Sequence, residues 1–379
     1  VYSPDNLQSL IDTKDVKAVL LAMPSLRRSE RQEIISFLEP YKVEVRSVPG
    51  VAELAQGKVT VNDLLEIDIS DLLGRDSVKP NKELFEKNIY NKVVMVTGAG
   101  GSIGSELCRQ IVSLKPTILV LYELSEPSLY QIDQELKDNN EFNVEVCPIL
   151  GSVTDKNRVL KICEYYGVQT IYHAAAYKHV PLVEYNNLQG FLNNTIGTKL
   201  LAEAAIASNV ETFVLISTDK AVRPTNFMGA SKRAAEMVLQ ALAKQSHNTC
   251  FTMVRFGNVL GSSGSVVPHF REQITRGGPI TLTHKDITRY FMTIPEASSL
   301  VLQAGEMSTG GEVFILDMGE QMKVIDIAKK LIHLSGRSVS ETSNKEGIEI
   351  IEVGLRDGEK LPQRQVNGRC CRDRQIVLS

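Results

Sequence analysis

Along this chain, short runs of β-branched and aliphatic residues alternate with longer stretches in which apolar positions recur every three to four residues. From Lys92 onward the alternation is regular, with strand-like runs at 93–97, 117–122, 144–149, 168–172, 212–217 and 250–256 separated by helical patterns. Strands and helices in that order predict the α/β class, with a doubly wound parallel sheet.

The first 75 residues use the same grammar on a smaller scale. A polar helical start precedes a strand over Val16–Met23, a helix around Ser29–Leu38 and a strand over Lys42–Val48. So few parallel strands would leave their core open, so residues 1–75 are expected to be a partial α/β unit whose first strands are missing. The apolar segment Val61–Leu73 and the polar stretch Asp76–Lys87 read as a connection, which places a linker at 76–91. The main sheet domain is expected over 92–260 and a smaller C-terminal domain over 261–361, closed by a helix at Val324–Ser335 and a strand at Ile348–Val353. Residues 362–379 form a tail with no readable element.

Composition removes several classes of function. Among 379 residues, 42 basic and 45 acidic side chains leave a net charge of -3, which offers no basic surplus to nucleic acid or anionic lipid. The six cysteines (108, 147, 163, 250, 370 and 371) show no metal-type spacing, so no metal site is expected and they read as thiols of a reducing compartment. No apolar run of about 18 residues and no signal peptide occurs, so this polypeptide is expected to be soluble.

Chemistry first becomes readable at Val93–Leu107, where an apolar strand runs into a glycine cluster and then a helical pattern. Gly98, Gly101 and Gly104 stand three apart, which lets the backbone approach a pyrophosphate while Ser102, Ile103 and Gly104 open a helix whose end favours an anion. Glu123 ends the next strand, nineteen residues after Gly104, where a carboxylate can accept both adenosine ribose hydroxyls. It favours NAD over NADP, although a solvated glutamate at a strand end would read the same way. Ala174 and Ala175 follow the fourth strand and would let a flat cofactor lie on the backbone, with His173 read as a packed residue. Lys178 and His179 come after that turn and could face an anionic substrate.

The fifth strand ends in Ser217-Thr218-Asp219-Lys220, and Met228-Gly229-Ala230-Ser231-Lys232 follows. Met228 and Lys232, four apart, share one helical face that can look back at the strand end. Asp219 and Lys220 are adjacent titratable groups of opposite type; the plainer reading is a strand-end ion pair. Arg289 sits in an apolar neighbourhood, where a diphosphate or an internal carboxylate such as Glu296 would satisfy it.

The glycine pattern, Asn194 in Asn-Thr-Ile-Gly-Thr, and Lys232 resemble the extended short-chain dehydrogenase/reductases, whose usual pair is a tyrosine four residues before the lysine. Here Met228 holds the tyrosine's place. With Thr97–Leu107, Ala174–Pro181, Ser217–Pro224 and Gly261–Pro268, that substitution resembles the membrane-associated UDP-N-acetylglucosamine 4,6-dehydratases of bacterial surface-glycan synthesis, over nearly the whole chain.

That resemblance implies a Rossmann sheet with a C-terminal UDP-sugar domain, and NAD regenerated in each turnover. It implies that Asp219 protonates the leaving C6 hydroxyl, Lys220 takes the C5 proton, and Lys232 binds the nicotinamide ribose. Since methionine cannot take a proton, Thr218 is the candidate for the C4 hydroxyl, with Met228 packing against sugar or nicotinamide. Lys178, His179, Asn194, Asn258, Arg289 and Arg356 are the candidate substrate contacts. The resemblance also implies a homo-oligomer paired through Asn187–Ala207 and Ser231–Ala243, and a full-length protein on the cytoplasmic face of the inner membrane, anchored by segments absent from this chain. The family pattern fails after Lys360. A UDP-sugar 4-epimerase and a non-catalytic NAD- or sugar-nucleotide-binding regulator remain alternatives.

Overall fold

The computed structural model describes residues 6–23, 26–41, 43–48, 65–66, 87–139, 143–245, 248–340 and 347–359, and the strands at 369–370 and 376–378. The 76–91 linker lies mostly outside the described residues, as does most of the 362–379 tail.

The chain packs as two units, one comprising Val78–Asn258, Ile294–Gly319 and Arg356–Ser379 and the other Val1–Ser77, Val259–Thr293 and Glu320–Leu355. In the first, nine strands form one sheet: β1 (Val93–Thr97), β2 (Ile118–Glu123), β3 (Glu145–Leu150), β4 (Thr170–His173), β5 (Thr212–Ile216), β6 (Cys250–Arg255), β7 (Val313–Leu316), β8 (Arg369–Cys370) and β9 (Ile376–Leu378). Their order across the sheet is β8-β9-β7-β6-β5-β4-β1-β2-β3, parallel from β3 through β7, with β8 and β9 antiparallel at the edge. This is the doubly wound sheet that the alternation predicts, each of β1–β6 falling within two residues of its expected bounds.

Helices α1 (Ser102–Ser113), α2 (Glu126–Asp138), α3 (Lys156–Tyr166), α4 (Gly197–Ala207), α5 (Phe227–Ala243) and α6 (Ile294–Met307) belong to the same unit. Strand β5 is buried at every position, and Met95, Val120, Ile171, Phe213, Leu215 and Met253 are all 0% exposed. At roughly 25 cal/mol per Å² of apolar surface, this central layer is the main source of the sheet's stability. The chain order reverses between β1 and β4, and the carboxyl ends of those neighbouring strands bound the crevice where such sheets bind ligands.

Packing divides the chain differently from the linear division expected above. The strands Ala18–Leu21 and Glu44–Ser47 are parallel partners joined by the helix Arg28–Leu38, as expected. They do not close a core alone: Leu21, Ile35, Leu38, Val43 and Val45 share one cluster with Phe270, Ile280, Leu331, Ile332 and Ile348. Residues 294–319, placed by linear reading in the C-terminal domain, supply α6 and β7 to the nine-stranded unit. The physical reason is apolar area. Two short strands and one helix bury too little by themselves, so distant segments complete their core. The tail contributes the two antiparallel edge strands, a role that its composition does not announce.

Candidate active site

The glycine turn is shaped by contacts that no side chain could share. Gly98 has φ +67°, and a Cβ there would lie 2.7 Å from the Ala175 amide nitrogen; one on Gly104 would lie 1.9 Å from the Gly98 carbonyl oxygen. Ala174 and Ala175 therefore stand directly against the glycine turn. Gly101 is the extended residue before α1, and no side chain caps that helix, whose first residues are Ser102 and Ile103. A helix end of this kind presents N–H groups and a positive dipole end. Gly100, which the spacing argument passes over, is as constrained as its neighbours, since a Cβ would stand 2.5 Å from Ser128 Cβ.

Glu123 closes the far side of the turn. Its carboxylate accepts from the amides of Gly100 at 3.0 Å, Leu124 at 2.9 Å and Ser125 at 2.9 Å. These bonds hold the acid at the strand end where the ribose reading requires it.

The second cluster lies past β5. Thr218 caps the short turn Asp219–Ala221, accepting from the Lys220 amide, and its hydroxyl donates to Asp219 Oδ1 at 2.9 Å. Lys220 Nζ reaches Asp219 Oδ1 at 3.5 Å and Asn258 Oδ1 at 3.3 Å. Four sequence-predicted residues thus converge in one hydrogen-bonded group. Helix α5 is pressed against it: a Cβ on Gly229 would lie 2.3 Å from the Lys220 carbonyl oxygen. Met228, next to that contact, is 3% exposed.

Lys232 lies one turn further along α5, 5% exposed, and its ammonium has no hydrogen-bond partner among the described residues. Burial lowers its pKa to about 8, opposed by the charge of Glu236. Glu236, itself fully buried, is bonded by Arg255 at 2.7 and 2.6 Å, by Arg233 at 3.0 Å and by the Ser217 hydroxyl at 2.6 Å. Burial alone would raise the Glu236 pKa, but the two guanidiniums and Ser217 outweigh it and the pKa is lowered. Sequence reading missed this group. An acid at helical spacing from Lys232 was its available signal; the partner on β6 was invisible without the fold.

Asn194 plays a different part from the substrate contact expected of it. It is 1% exposed, in a π-helical turn at Leu192–Ile196. Its amide accepts from Tyr177 N at 2.8 Å and donates to Tyr177 O and Ser231 Oγ, both at 3.0 Å. The side chain therefore clamps the loop that carries Lys178 and His179, and its polar atoms are committed within the protein. Burial and the Lys220 charge lower the pKa of Lys178, while burial and the Lys178 charge lower that of His179. The lysine of this loop thus feels the Asp219–Lys220 turn.

Two candidates remain. Arg289 belongs to the other unit, on a two-residue strand paired with Met322–Lys323. Arg356 is exposed, on a turn closed by its own amide to Glu359 at 3.2 Å. Two residues on, Gly358 packs against Asn226, the residue that caps α5, and accepts its side-chain amide at 2.9 Å.

Comparison with known proteins adds a family. The model for "polysaccharide biosynthesis protein" matches residues 94–369. The chain belongs to this family. It is 46% identical over 363 residues to the capsular polysaccharide biosynthesis protein CapD of Staphylococcus aureus, a match covering 96% of the chain and 60% of CapD. It is 30% identical to a UDP-N-acetylglucosamine 4,6-dehydratase (inverting) of Campylobacter jejuni, over 74% of this chain and 79% of that one. A UDP-glucose 4-epimerase of Rickettsia rickettsii is 29% identical, over 71% and 76%. Among solved structures, Pen from Bacillus thuringiensis superposes with a TM-score of 0.66 at 34% identity, over 72% and 82%. DesIV, a dTDP-glucose 4,6-dehydratase of Streptomyces venezuelae with NAD bound, has a TM-score of 0.59 at 19% identity, over 71% and 87%, a likeness of fold. The chain spans about 60% of the length of CapD and of a second curated relative, the probable polysaccharide biosynthesis protein EpsC of Bacillus subtilis. Among the described residues no helix is long and apolar enough to cross a membrane, and no cluster of metal-ligating side chains occurs.

Proposed function

We propose that this chain catalyses the NAD-dependent 4,6-dehydration of UDP-N-acetylglucosamine to a UDP-2-acetamido-2,6-dideoxy-4-keto-hexose. The observation that carries the reading is the Thr218–Asp219–Lys220–Asn258 hydrogen-bonded group beside Met228. An acid and a base stand together beside Met228, which holds the place of the tyrosine that an epimerase needs.

Two features of the protein fit the cofactor. The tight glycine turn opens helix α1 with no side-chain cap on its N–H groups, and Lys232 is a buried ammonium with no hydrogen-bond partner among the described residues. Gly98, Gly101, Ser102, Ile103 and Gly104 would hold the diphosphate, Glu123 the adenosine ribose, Ala174 and Ala175 the flat rings, and Lys232 the nicotinamide ribose. NAD, when bound, would accept hydride from sugar C4 and return it to C6.

The protein's own residues would manage the protons. Thr218, already donating to Asp219, would bond O4 and relay its proton towards solvent or Asp219, and Lys232 would stabilise the alkoxide as it forms. With C4 oxidised, the C5 hydrogen is acidic. Lys220 would remove it and Asp219 would protonate the departing C6 hydroxyl so that one water leaves; as hydride adds at C6, Lys220 would return a proton to C5. Lys178, His179, Asn258 and Arg356 would contact the UDP-sugar, while Asn194 would act by holding the loop.

Incubation with UDP-N-acetylglucosamine and mass spectrometry should show loss of one water with no net NADH. An unchanged mass rejects dehydration, and a C4 epimer would favour the second reading, which the likeness to UDP-glucose 4-epimerases supports. The double change Asp219→Asn, Lys220→Met should abolish water loss. The full-length protein, of which the CapD match suggests this chain is a part, would be a homo-oligomer anchored at the cytoplasmic face of the membrane.

A further inference from the structure

The unused polar chemistry of the nine-stranded unit is concentrated in a buried line of side chains running between its two reactive clusters. Thr97 is the last residue of β1, immediately before Gly98 of the glycine turn. His173 is the last residue of β4, paired in register with Thr97 and immediately before Ala174. Thr97 Oγ1 lies 2.7 Å from His173 Nδ1, and His173 Nε2 lies 2.9 Å from Thr198 Oγ1. All three side chains belong to residues that are 0% exposed.

One arrangement of protons satisfies the line. The Thr198 hydroxyl donates to the Asn194 carbonyl at 2.6 Å, so its single hydrogen is spent there and its oxygen must accept from His173. His173 therefore carries its proton on Nε2, and Nδ1 accepts from the Thr97 hydroxyl. Beyond Asn194 the sense is the same: its side-chain amide donates to Ser231 Oγ, which donates to the Met228 carbonyl at 2.8 Å. Every donor points from the glycine turn towards the reactive helix, and bonds aligned in this way polarise one another. A charged ring would break the pattern, and burial together with the Lys232 charge pulls the His173 pKa down to about 3.

We propose that His173, neutral and protonated on Nε2, is a positioning residue that ties the cofactor turn to the Asn194 clamp and helix α5, setting the separation across which hydride must pass. The step it serves rests on the function proposed above. The residue itself touches neither cofactor nor sugar and acts through Thr97, Thr198 and Asn194.

The ring is tested without turnover. With ¹⁵N-labelled imidazoles, the chain's six histidines give six pairs of ring signals, and His173→Gln identifies the pair that disappears. That pair should show an unprotonated Nδ1 and a protonated Nε2, unchanged between about pH 5 and 8. A proton on Nδ1, or a ring that titrates in this range, overturns the proposal. The positioning role is tested by Thr198→Val against Thr198→Ser, each checked for NAD binding. The valine variant should lose roughly 10- to 100-fold in kcat with KM and NAD affinity within about twofold of the parent, and serine should restore the rate. Full kcat in the valine variant, or equal losses in both, overturns it. If Thr198→Val does not fold, Thr97→Val against Thr97→Ser makes the same comparison, with the same results expected and the same results overturning the role. A parent protein that leaves UDP-N-acetylglucosamine unchanged would sink the reaction assignment alone, leaving the ring to be judged by its spectrum.

Discussion

The Gly229 Cα and the Lys220 carbonyl oxygen are so close that a methyl group on Gly229 would stand 2.3 Å from that oxygen. The contact joins the first turn of α5, which carries Met228, to the turn bearing Asp219 and Lys220. Helix propensity and packing therefore disagree at this position. Alanine inside a helix is normally worth about 1 kcal/mol over glycine, whereas an atom forced into a filled site costs roughly 1–3 kcal/mol. Packing should win, so Gly229→Ala is expected to lower the melting temperature by a few degrees and to reduce turnover. Calorimetry and a water-loss assay on the same preparation check both, and a variant more stable than the parent would show that the contact relaxes freely.

Gly104→Ala tests the cofactor turn by the same logic. Its methyl group would meet the Gly98 carbonyl oxygen at 1.9 Å, and the obstructing atom is backbone. The turn must move, so the purified variant should lose NAD on gel filtration while the parent retains it. The nucleotide released on denaturation measures the difference, and equal contents would refute the reading.

Lys232 governs a pH dependence whose sign can be worked out. Its pKa falls from 10.5 to about 8 through burial, against the opposing charge of Glu236. The ammonium needed beside an alkoxide is present below about pH 8 and lost above it, so kcat/KM should fall as pH rises through that value. Stability moves the other way. Between about pH 8 and 10.5 the unfolded chain binds more protons than the folded one, so stability rises across that window. Lys232→Met should abolish water loss, remove that rise and raise the melting temperature at neutral pH without NAD, because an unpartnered buried charge is gone. A melting temperature that falls would mean the ammonium has a partner in the protein.

The Glu236–Arg255 pair, bonded at 2.7 and 2.6 Å with both residues buried, should behave as a unit. Removing one partner strands the other, at a cost of roughly 3–5 kcal/mol. Glu236→Leu and Arg255→Met should each be destabilised by that order, and the double variant by clearly less than their sum. Urea unfolding of the four proteins closes the cycle; additive losses would show that the two charges do not depend on each other.

The sequence by itself determined the fold class, the six central strands and the chemical types at the two reactive stretches. Those features are written in local period and spacing: buried strands as apolar runs, a phosphate turn as glycines three apart, Met228 and Lys232 four apart on one helix. Only the tertiary structure decided which residues complete each other across the chain. Asn194 proved to be a clamp on Tyr177, because the partner that uses its amide lies 17 residues away on another loop. Leu21, Ile35, Leu38, Val43 and Val45 proved to share a core with residues of 259–293 and 320–355, because apolar segments too small to bury themselves carry no mark of where they will be covered. His173 and Glu236 look ordinary in the sequence. Their roles arise from bonds to β1 and β6, and long-range satisfaction of buried polar groups leaves no periodic trace along a chain.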